Sequence, residues 1–286
     1  MLNRFPMMHA YAKINLGLYV VARRPDGYHD IETVFCRIGI ADYVTFAPSP
    51  DIHVTCSSPD APAGALNICH VAAHRLQERY HITAGVHIHI TKNIPVGAGL
   101  GGGSADAALV LRELPGFWGC SPDSTDLARI ALEIGSDVPF FLGNDAAVGR
   151  GRGEILEHFH LDIPYTILVC NPNIHVATAW AYSRITPGRP GKPDDLRSII
   201  TAGMHDPGLL RAHLRNDFEE VVFEAHPEVR TIKERMLQAG AVFALMSGSG
   251  STVYAFFPDA VTAQALAGEF LAAGYRISLT PPHFHG

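Results

Sequence analysis

Lys92-Asn-Ile-Pro-Val-Gly-Ala-Gly-Leu-Gly-Gly-Gly-Ser-Ala-Asp-Ala-Ala108 places five glycines within seven positions and follows them with a serine. Glycine lets backbone N–H groups close around phosphoryl oxygens, and a helix N-terminus behind the loop adds unpaired donors and a favourable dipole. The segment therefore reads as a cradle for a phosphate chain, with a nucleotide polyphosphate as the ligand. The alternative is a purely structural turn, but turns seldom need so many glycines.

The flanks fit the cradle. Val86-His-Ile-His-Ile90 alternates with the period of a half-buried strand, and Ala105 to Leu114 is rich in helix-forming Ala and Leu behind Ser104. Gly97, Gly99 and Gly102 formally satisfy the dinucleotide fingerprint G-x-G-x-x-G. Pro95 and a third consecutive glycine do not suit that turn, however, and no ribose-binding acid follows on a second strand. A P-loop needs Gly-Lys-Ser/Thr, and no lysine precedes the serine here; the protein-kinase motif set is also missing.

With 286 residues and 47% hydrophobic composition, the chain can bury a substantial core, and its length suits two domains. A formal net charge of −6 without any Lys/Arg run argues against nucleic acid or an anionic membrane as partner. Five cysteines scattered singly, with no C-x-x-C pair, read as reduced thiols and point to the cytoplasm. Met1 to Ala10 carries no long apolar run, so no secretory signal or membrane anchor is expected, and Met8 is a second candidate start. The sixteen histidines show no metal-ligand spacing and read mostly as solvated surface.

Periodicity predicts strands at about 9–22, 30–46, 52–56 and 86–91, with a helix near 66–80, which makes the first domain α+β. A short amphipathic helix follows over 124–135, and 149–153 reads as glycine-rich turns. The buried strand 165–170 comes next. Helices are predicted near 178–184, 206–222 and 227–239, and strands near 242–246 and 251–257. The stretch 186–195, rich in Pro, Gly and Arg, reads as a surface loop. The domains are placed at 1–157 and 158–286.

Three features invite chemistry. Lys13, on a strand of mostly apolar neighbours, has either to reach a partner or to snorkel to solvent. Asp137, before Val138-Pro139, is a candidate catalytic carboxylate or an N-cap. Met246-Ser-Gly-Ser-Gly-Ser-Thr252 either closes over a phosphate as a backbone nest or makes a simple turn.

In this order along the chain, the pieces resemble the GHMP small-molecule kinases. The resemblance rests on Ala12-Lys-Ile-Asn-Leu16, Arg24-Pro-Asp-Gly-Tyr-His29 with Glu32-Thr-Val-Phe35, Pro95 to Ala108, Ile134-Gly-Ser-Asp-Val-Pro-Phe140, Leu214-Arg-Asn-Asp-Phe-Glu219 and Met246 to Thr252. It implies an α+β, two-domain GHMP kinase fold, with a ribosomal protein S5 domain 2-like N-terminal domain and a ferredoxin-like C-terminal domain. The activity it implies is ATP-dependent phosphorylation of the C2 hydroxyl of a cytidyl diphosphate of methylerythritol, in the non-mevalonate route to isoprenoid precursors.

Lys13 and Asp137 match the family's catalytic pair. Pro95, Val96, Gly97, Ala98, Gly99, Leu100, Gly101, Gly102, Gly103, Ser104 and Ala105 match its ATP-phosphate loop, with Ser104 beside the expected Mg²⁺. Asn15, Tyr28, His29, Phe35, Thr178 and Tyr182 fall where the family binds the cytidyl substrate; for Tyr28 and Tyr182, core packing is the rival reading. The family commonly has paired serines where this chain reads Ser104-Ala105, so one hydroxyl is present there. Two other classes remain: another GHMP enzyme, a kinase for a sugar, homoserine or a mevalonate-type alcohol or a decarboxylase, and a non-catalytic nucleotide sensor on the same fold.

Overall fold

The structure is a computed structural model that describes residues 6–143 and 145–286, so the first five positions of the Met1 to Ala10 stretch lie outside it. The chain forms two compact units that interleave along the sequence. One comprises the chain up to Ala12 with Ala41–Val96 and Gly101–Gly143; the other comprises Lys13–Ile40, Gly97–Leu100 and the chain after Gly143.

Two long strands, β1 (Met8–Arg23) and β2 (His29–Ala47), contribute residues to both units. In the first unit, the last residues of β2 pair antiparallel with β4 (Val86–Thr91), Tyr43 opposite Thr91, and β3 (Ile52–Cys56) runs parallel to β4 on its other side. The expected alternation is realised: Val86, Ile88 and Ile90 are buried, while His87, His89 and Thr91 are partly exposed. The α-helices of this unit among the described residues are α1 (Ile68–Tyr80), α2 (Gly102–Trp118), α3 (Ser124–Ile134) and α4 (Val138–Leu142). α1 packs on α2, and Ala72, Ala73 and Leu76 of α1 and Ala107, Ala108 and Leu111 of α2 are fully buried.

In the second unit, β5 (Ala146–Arg150) pairs with residues 33–36 of β2 and with β6 (Ile155–Phe159). The segment read as turns at 149–153 is therefore partly strand. A second sheet contains β7 (Thr166–Asn171), β8 (Phe243–Met246), β9 (Val253–Phe257) and β10 (Arg276–Thr280), all antiparallel in the order β10-β7-β9-β8. β7 and β9 are central and buried at every residue, the apolar run 167–170 of β7 being flanked by the buried polar Thr166 and Asn171. Strand order and connection reproduce the ferredoxin-like split βαβ arrangement expected for this part of the chain.

Its helices are α5 (Thr178–Arg184), α6 (Leu196–Gly203), α7 (Pro207–His213), α8 (Glu219–Ala225), α9 (Pro227–Gln238) and α10 (Ala260–Ala272). The core joins Phe218, Val222, Ile232, Met236, Leu266 and Phe270 to the inner face of that sheet.

Three local expectations need correction. The helix predicted over 206–222 is two helices, because residues 214–218 pair with β1: Leu18 N–H donates to Arg215 O (2.9 Å) and Asp217 N–H donates to Leu18 O (2.9 Å). Asp217 Oδ2 also accepts from Val20 N–H at 2.8 Å, so tertiary partners outcompete helical ones. The helix after the glycine loop starts at Gly102 rather than at Ser104, with Gly101 as its N-cap. Finally, α6, α10, β6 and β10 were not anticipated.

Candidate active site

In the second unit, the Lys13 side chain does not snorkel: the residue is 4% exposed. Its ammonium donates to Asn15 Oδ1 at 2.7 Å and to Gly99 O at 3.1 Å, and lies 5.3 Å from the centre of the Phe35 ring. Asn15 in turn donates from Nδ2 to Thr33 Oγ1 (2.9 Å), whose hydroxyl donates to Gly17 O (2.5 Å). Alternation along β1 and β2 puts Lys13, Asn15, Thr33 and Phe35 on facing inward positions, and the network fixes the amine.

The glycine loop is tied to this lysine from two directions. Lys13 N–H donates to Leu100 O at 3.0 Å, and Ser247 Oγ donates to Gly99 O at 2.9 Å while accepting from Asn15 N–H at 3.3 Å. Met246–Thr252 is the hairpin turn between β8 and β9, closed by Ser247 N–H to Thr252 O at 2.9 Å. It lies directly against Gly99, where a Cβ would sit 2.2 Å from Ser247 O, and Gly99 has φ +79°. Gly99→Ala is therefore expected to cost at least about 1 kcal/mol of stability. Urea denaturation checks this, and an unchanged midpoint would show that the two turns separate freely. Asn216 Nδ2 holds the same hairpin through Met246 O and Gly248 O, both at 2.8 Å.

Gly101 (φ +70°) turns the chain into α2, whose first turn is Gly102-Gly103-Ser104 and contains no acidic side chain. The free N–H groups of that turn, the dipole of a 17-residue helix and the lack of nearby carboxylate in the turn suit a phosphate. Ser104 is the third residue of α2, half-buried, and its hydroxyl oxygen is a donor type that Mg²⁺ accepts. Pro95, Ala98, Leu100 and Ala105 are buried, whereas Val96, Gly97 and Gly103 are exposed.

Asp137 occupies the N-cap position of α4, yet its side chain makes no capping hydrogen bond and its backbone is already helical (φ −86°, ψ −16°). Capping thus fails as the reason for an aspartate there. The residue is half-buried.

The residues expected to meet a cytidyl group divide. His29 stacks on Tyr182, ring centres 4.9 Å apart at 25°, and Phe218 meets Tyr182 edge-on at 4.8 Å. Burial, with the charge of Arg23, holds the His29 imidazole below its usual pKa, so it is neutral near pH 7 and offers one donor and one acceptor. Tyr28 is 57% exposed, with the Arg152 guanidinium 5.0 Å from its ring centre; core packing does not explain it. Thr178 opens α5, its hydroxyl 3.1 Å from Ser249 Oγ.

Sequence reading missed a buried charge cluster in the first unit. Lys92 Nζ donates to Asp42 and, at 2.8 Å, to Asp106 Oδ2, while Asp42 Oδ1 accepts from the N–H groups of Asn93 (2.6 Å) and Ile94 (2.8 Å). Burial pushes the Asp106 carboxyl up to about 7 against the pull of Lys92. For Lys92, burial works against the ammonium, and the charges of Asp106 and Asp42 outweigh it. The cluster anchors the segment that leads into the glycine loop.

Comparisons with known proteins place these parts in a family. The GHMP kinases N terminal domain matches residues 67–144 and the GHMP kinases C terminal domain matches 196–276. The chain is 43% identical to a 4-diphosphocytidyl-2-C-methyl-D-erythritol kinase of Chlorobium luteolum over 284 residues, covering 97% of both chains. It is 41% identical to the enzyme of that name from Salinibacter ruber, covering 95% of this chain and 97% of the other. Among solved structures, a 4-(cytidine 5'-diphospho)-2C-methyl-D-erythritol kinase superposes with TM-score 0.81 at 33% identity, covering 96% of this chain and 98% of that one. A homoserine kinase from Cytophaga hutchinsonii, at 21% identity and TM-score 0.70 with 97% and 96% coverage, shares the fold. The chain is a small-molecule kinase that belongs to the GHMP kinases, in the family of the 4-diphosphocytidyl-2-C-methyl-D-erythritol kinases.

Proposed function

We propose that this kinase transfers the γ-phosphoryl group of ATP to the C2 hydroxyl of 4-diphosphocytidyl-2-C-methyl-D-erythritol, with Lys13 and Asp137 as its catalytic pair. The observation that carries the reading is the Lys13 site: an ammonium buried on a strand and held by Asn15 and by the carbonyl of the glycine loop. These contacts fix the ammonium against the glycine loop, where it can stabilise negative charge on a phosphoryl group.

Phosphoryl transfer passes through a loose transition state, so positioning and charge neutralisation supply most of the acceleration. An aspartate with a reference pKa of about 3.9 is too weak to deprotonate an alcohol in advance; Asp137 orients the hydroxyl and accepts its proton as the new P–O bond forms. Lys13 stabilises negative charge on the nucleophile and on the phosphoryl group in flight. Pro95 to Ala105, with the first turn of α2, cradle the phosphates. Ser104 would hold Mg²⁺, which would supply neutralising charge at the phosphoryl oxygens. Together the backbone donors and the metal let a chain of net charge −6 take a polyanion.

For the acceptor, the His29–Tyr182 stack is the platform for the cytosine ring, and the neutral imidazole together with the His29 backbone reads its polar edge. Tyr28 is the second face, and Asn15, Phe35 and Thr178 complete the subsite. Tyr182→Leu is expected to weaken CDP binding about five- to 150-fold, or ~1–3 kcal/mol, by analogy with bases stacked on aromatic residues. Binding of an ATP analogue stays unchanged. Calorimetric titration of folded protein checks this; unaltered CDP affinity in both Tyr28→Leu and Tyr182→Leu removes the base platform.

Another GHMP substrate class is separated by thermal shift with an unreactive ATP analogue and CDP, CMP, galactose, homoserine or mevalonate. Stabilisation by CDP and CMP alone supports the cytidyl acceptor, and stabilisation by homoserine or mevalonate overturns it. The five free cysteines support a reducing, cytoplasmic setting, and no described helix is long and apolar enough to cross a membrane. We place the boundary between the two sequence domains at 157/158, inside the interval 145–195 that neither family profile covers.

A further inference from the structure

Asp145, His160 and His285 are far apart in sequence, meet at the surface of the second unit, and are none of the residues assigned above. The hairpin β5–β6 brings two of them together. Ala146 pairs with Phe159, so Asp145 and His160 are the next residues out on the two strands, at the hairpin's open end. The third arrives on the chain terminus. His283 N–H donates to Ile163 O at 2.9 Å, its ring lies 2.7 Å from Asp162, and Arg37 donates to Gly286 O at 3.1 Å, which pins the tail on both sides of His285.

The resulting distances suit a metal ion. Asp145 Oδ2 lies 3.3 Å from His285 Nδ1 and 3.7 Å from His160 Nδ1, and one ligand atom from each residue lies within 4.8 Å of the others. Ligands bound to zinc at about 2.0 Å in a tetrahedron are separated by about 3.3 Å, so only small side-chain movements are required. The two imidazoles stack with centres 5.2 Å apart, and their half-exposed edges leave room for water as a further ligand.

We propose that Asp145, His160 and His285 form a binding site for a divalent transition metal, best suited to Zn²⁺, which fastens the C-terminal tail to the end of the β5–β6 hairpin. Two imidazoles and one carboxylate select transition metals over Mg²⁺, which prefers an all-oxygen shell, so the kinase's own cation is not a competitor here.

The test is equilibrium binding of ZnCl₂ to the full chain, freed of metal by EDTA, in parallel with His160→Ala, His285→Ala and Asp145→Asn. His53→Ala/His87→Ala serves as a control at the other histidine-rich surface, where the two rings lie 5.1 Å apart. A second readout is the rate at which carboxypeptidase trims the tail with and without Zn²⁺. Each ligand variant is expected to bind the tightest Zn²⁺ at least about tenfold more weakly, the control to match the parent, and Zn²⁺ to slow trimming in the parent but not in His285→Ala. His160 and His285 lie at the surface and the Asp145 side chain is 23% exposed, and circular dichroism checks that each variant keeps the fold. Equal Zn²⁺ affinity in the parent and all three ligand variants, or a loss confined to the control, overturns the proposal.

Discussion

Asp137→Asn is expected to lower kcat by about 10²- to 10⁴-fold, equivalent to ~3–5 kcal/mol of barrier, and to leave folding and nucleotide binding nearly unchanged. The amide keeps the shape of the carboxylate and its capacity for hydrogen bonding but cannot take the hydroxyl proton. Because the Asp137 side chain makes no capping bond to α4, its replacement removes no cap, and the two roles make opposite forecasts. A cap costs stability of about 1 kcal/mol and spares turnover; a proton acceptor costs turnover and spares stability. Thermal unfolding and steady-state kinetics on the same preparation separate them. Turnover within about threefold of the parent removes Asp137 from the chemistry.

The second large effect falls on stability. Lys92→Met deletes the ammonium between Asp42 and Asp106 and leaves two carboxyls in a site where the lysine side chain is 6% exposed and the aspartates 0% and 4%. Breaking one partner of a buried charge cluster costs about 3–5 kcal/mol, and the loss here should lie in that range at pH 8. Its pH dependence has a definite sign. Burial pushes the folded Asp106 carboxyl up to about 7, above its unfolded value, and removal of the lysine pushes it further up. Folded protein holds more protons than unfolded below its carboxyl's pKa, so both proteins gain stability as pH falls, the variant from a higher pH than the parent; its deficit against the parent therefore narrows from pH 8 to about pH 7 and levels off toward pH 5. Urea denaturation across that interval measures the difference. A deficit that is constant with pH would show that the carboxyls are not in electrostatic contact with Lys92.

What the sequence revealed follows from the range of each interaction. Periodicity is local, and it found β1, β2, β4, α1 and α5 to within a few residues because their apolar patterns were strong. It failed at residues 214–218, where helical composition lost to pairing with β1 and to the side chains of Asn216 and Asp217. It also failed at α6 and α10, although Asp195 and Asp259 cap them through N–H groups two to three residues ahead and that signal was present in the sequence. The glycine loop was legible because its chemistry lies in one run of residues. Lys13 was recognisable as an anomaly on a strand, but its partners come from residues 15 and 99, and Ser247 joins from almost 150 residues beyond the loop. Only the fold makes these neighbours. The Lys92 cluster was hidden for the same reason, since Asp42 sits on β2, Lys92 just past β4 and Asp106 on α2. So was the group at Asp145, His160 and His285, whose wide spacing matches no metal motif.

The reaction itself gives the most direct check of the account. The enzyme is incubated with ATP, Mg²⁺ and 4-diphosphocytidyl-2-C-methyl-D-erythritol, and the product is followed by proton-coupled ³¹P NMR alongside release of ADP. C2 carries a methyl branch and no hydrogen, so phosphorylation there gives one new phosphomonoester resonance without splitting from a proton on the bonded carbon, at one equivalent per ADP. Homoserine and mevalonate in place of the cytidyl substrate should give neither signal. A new resonance split by carbinol protons would place the phosphate on another hydroxyl, and ADP formed only with homoserine or mevalonate would contradict the cytidyl acceptor altogether.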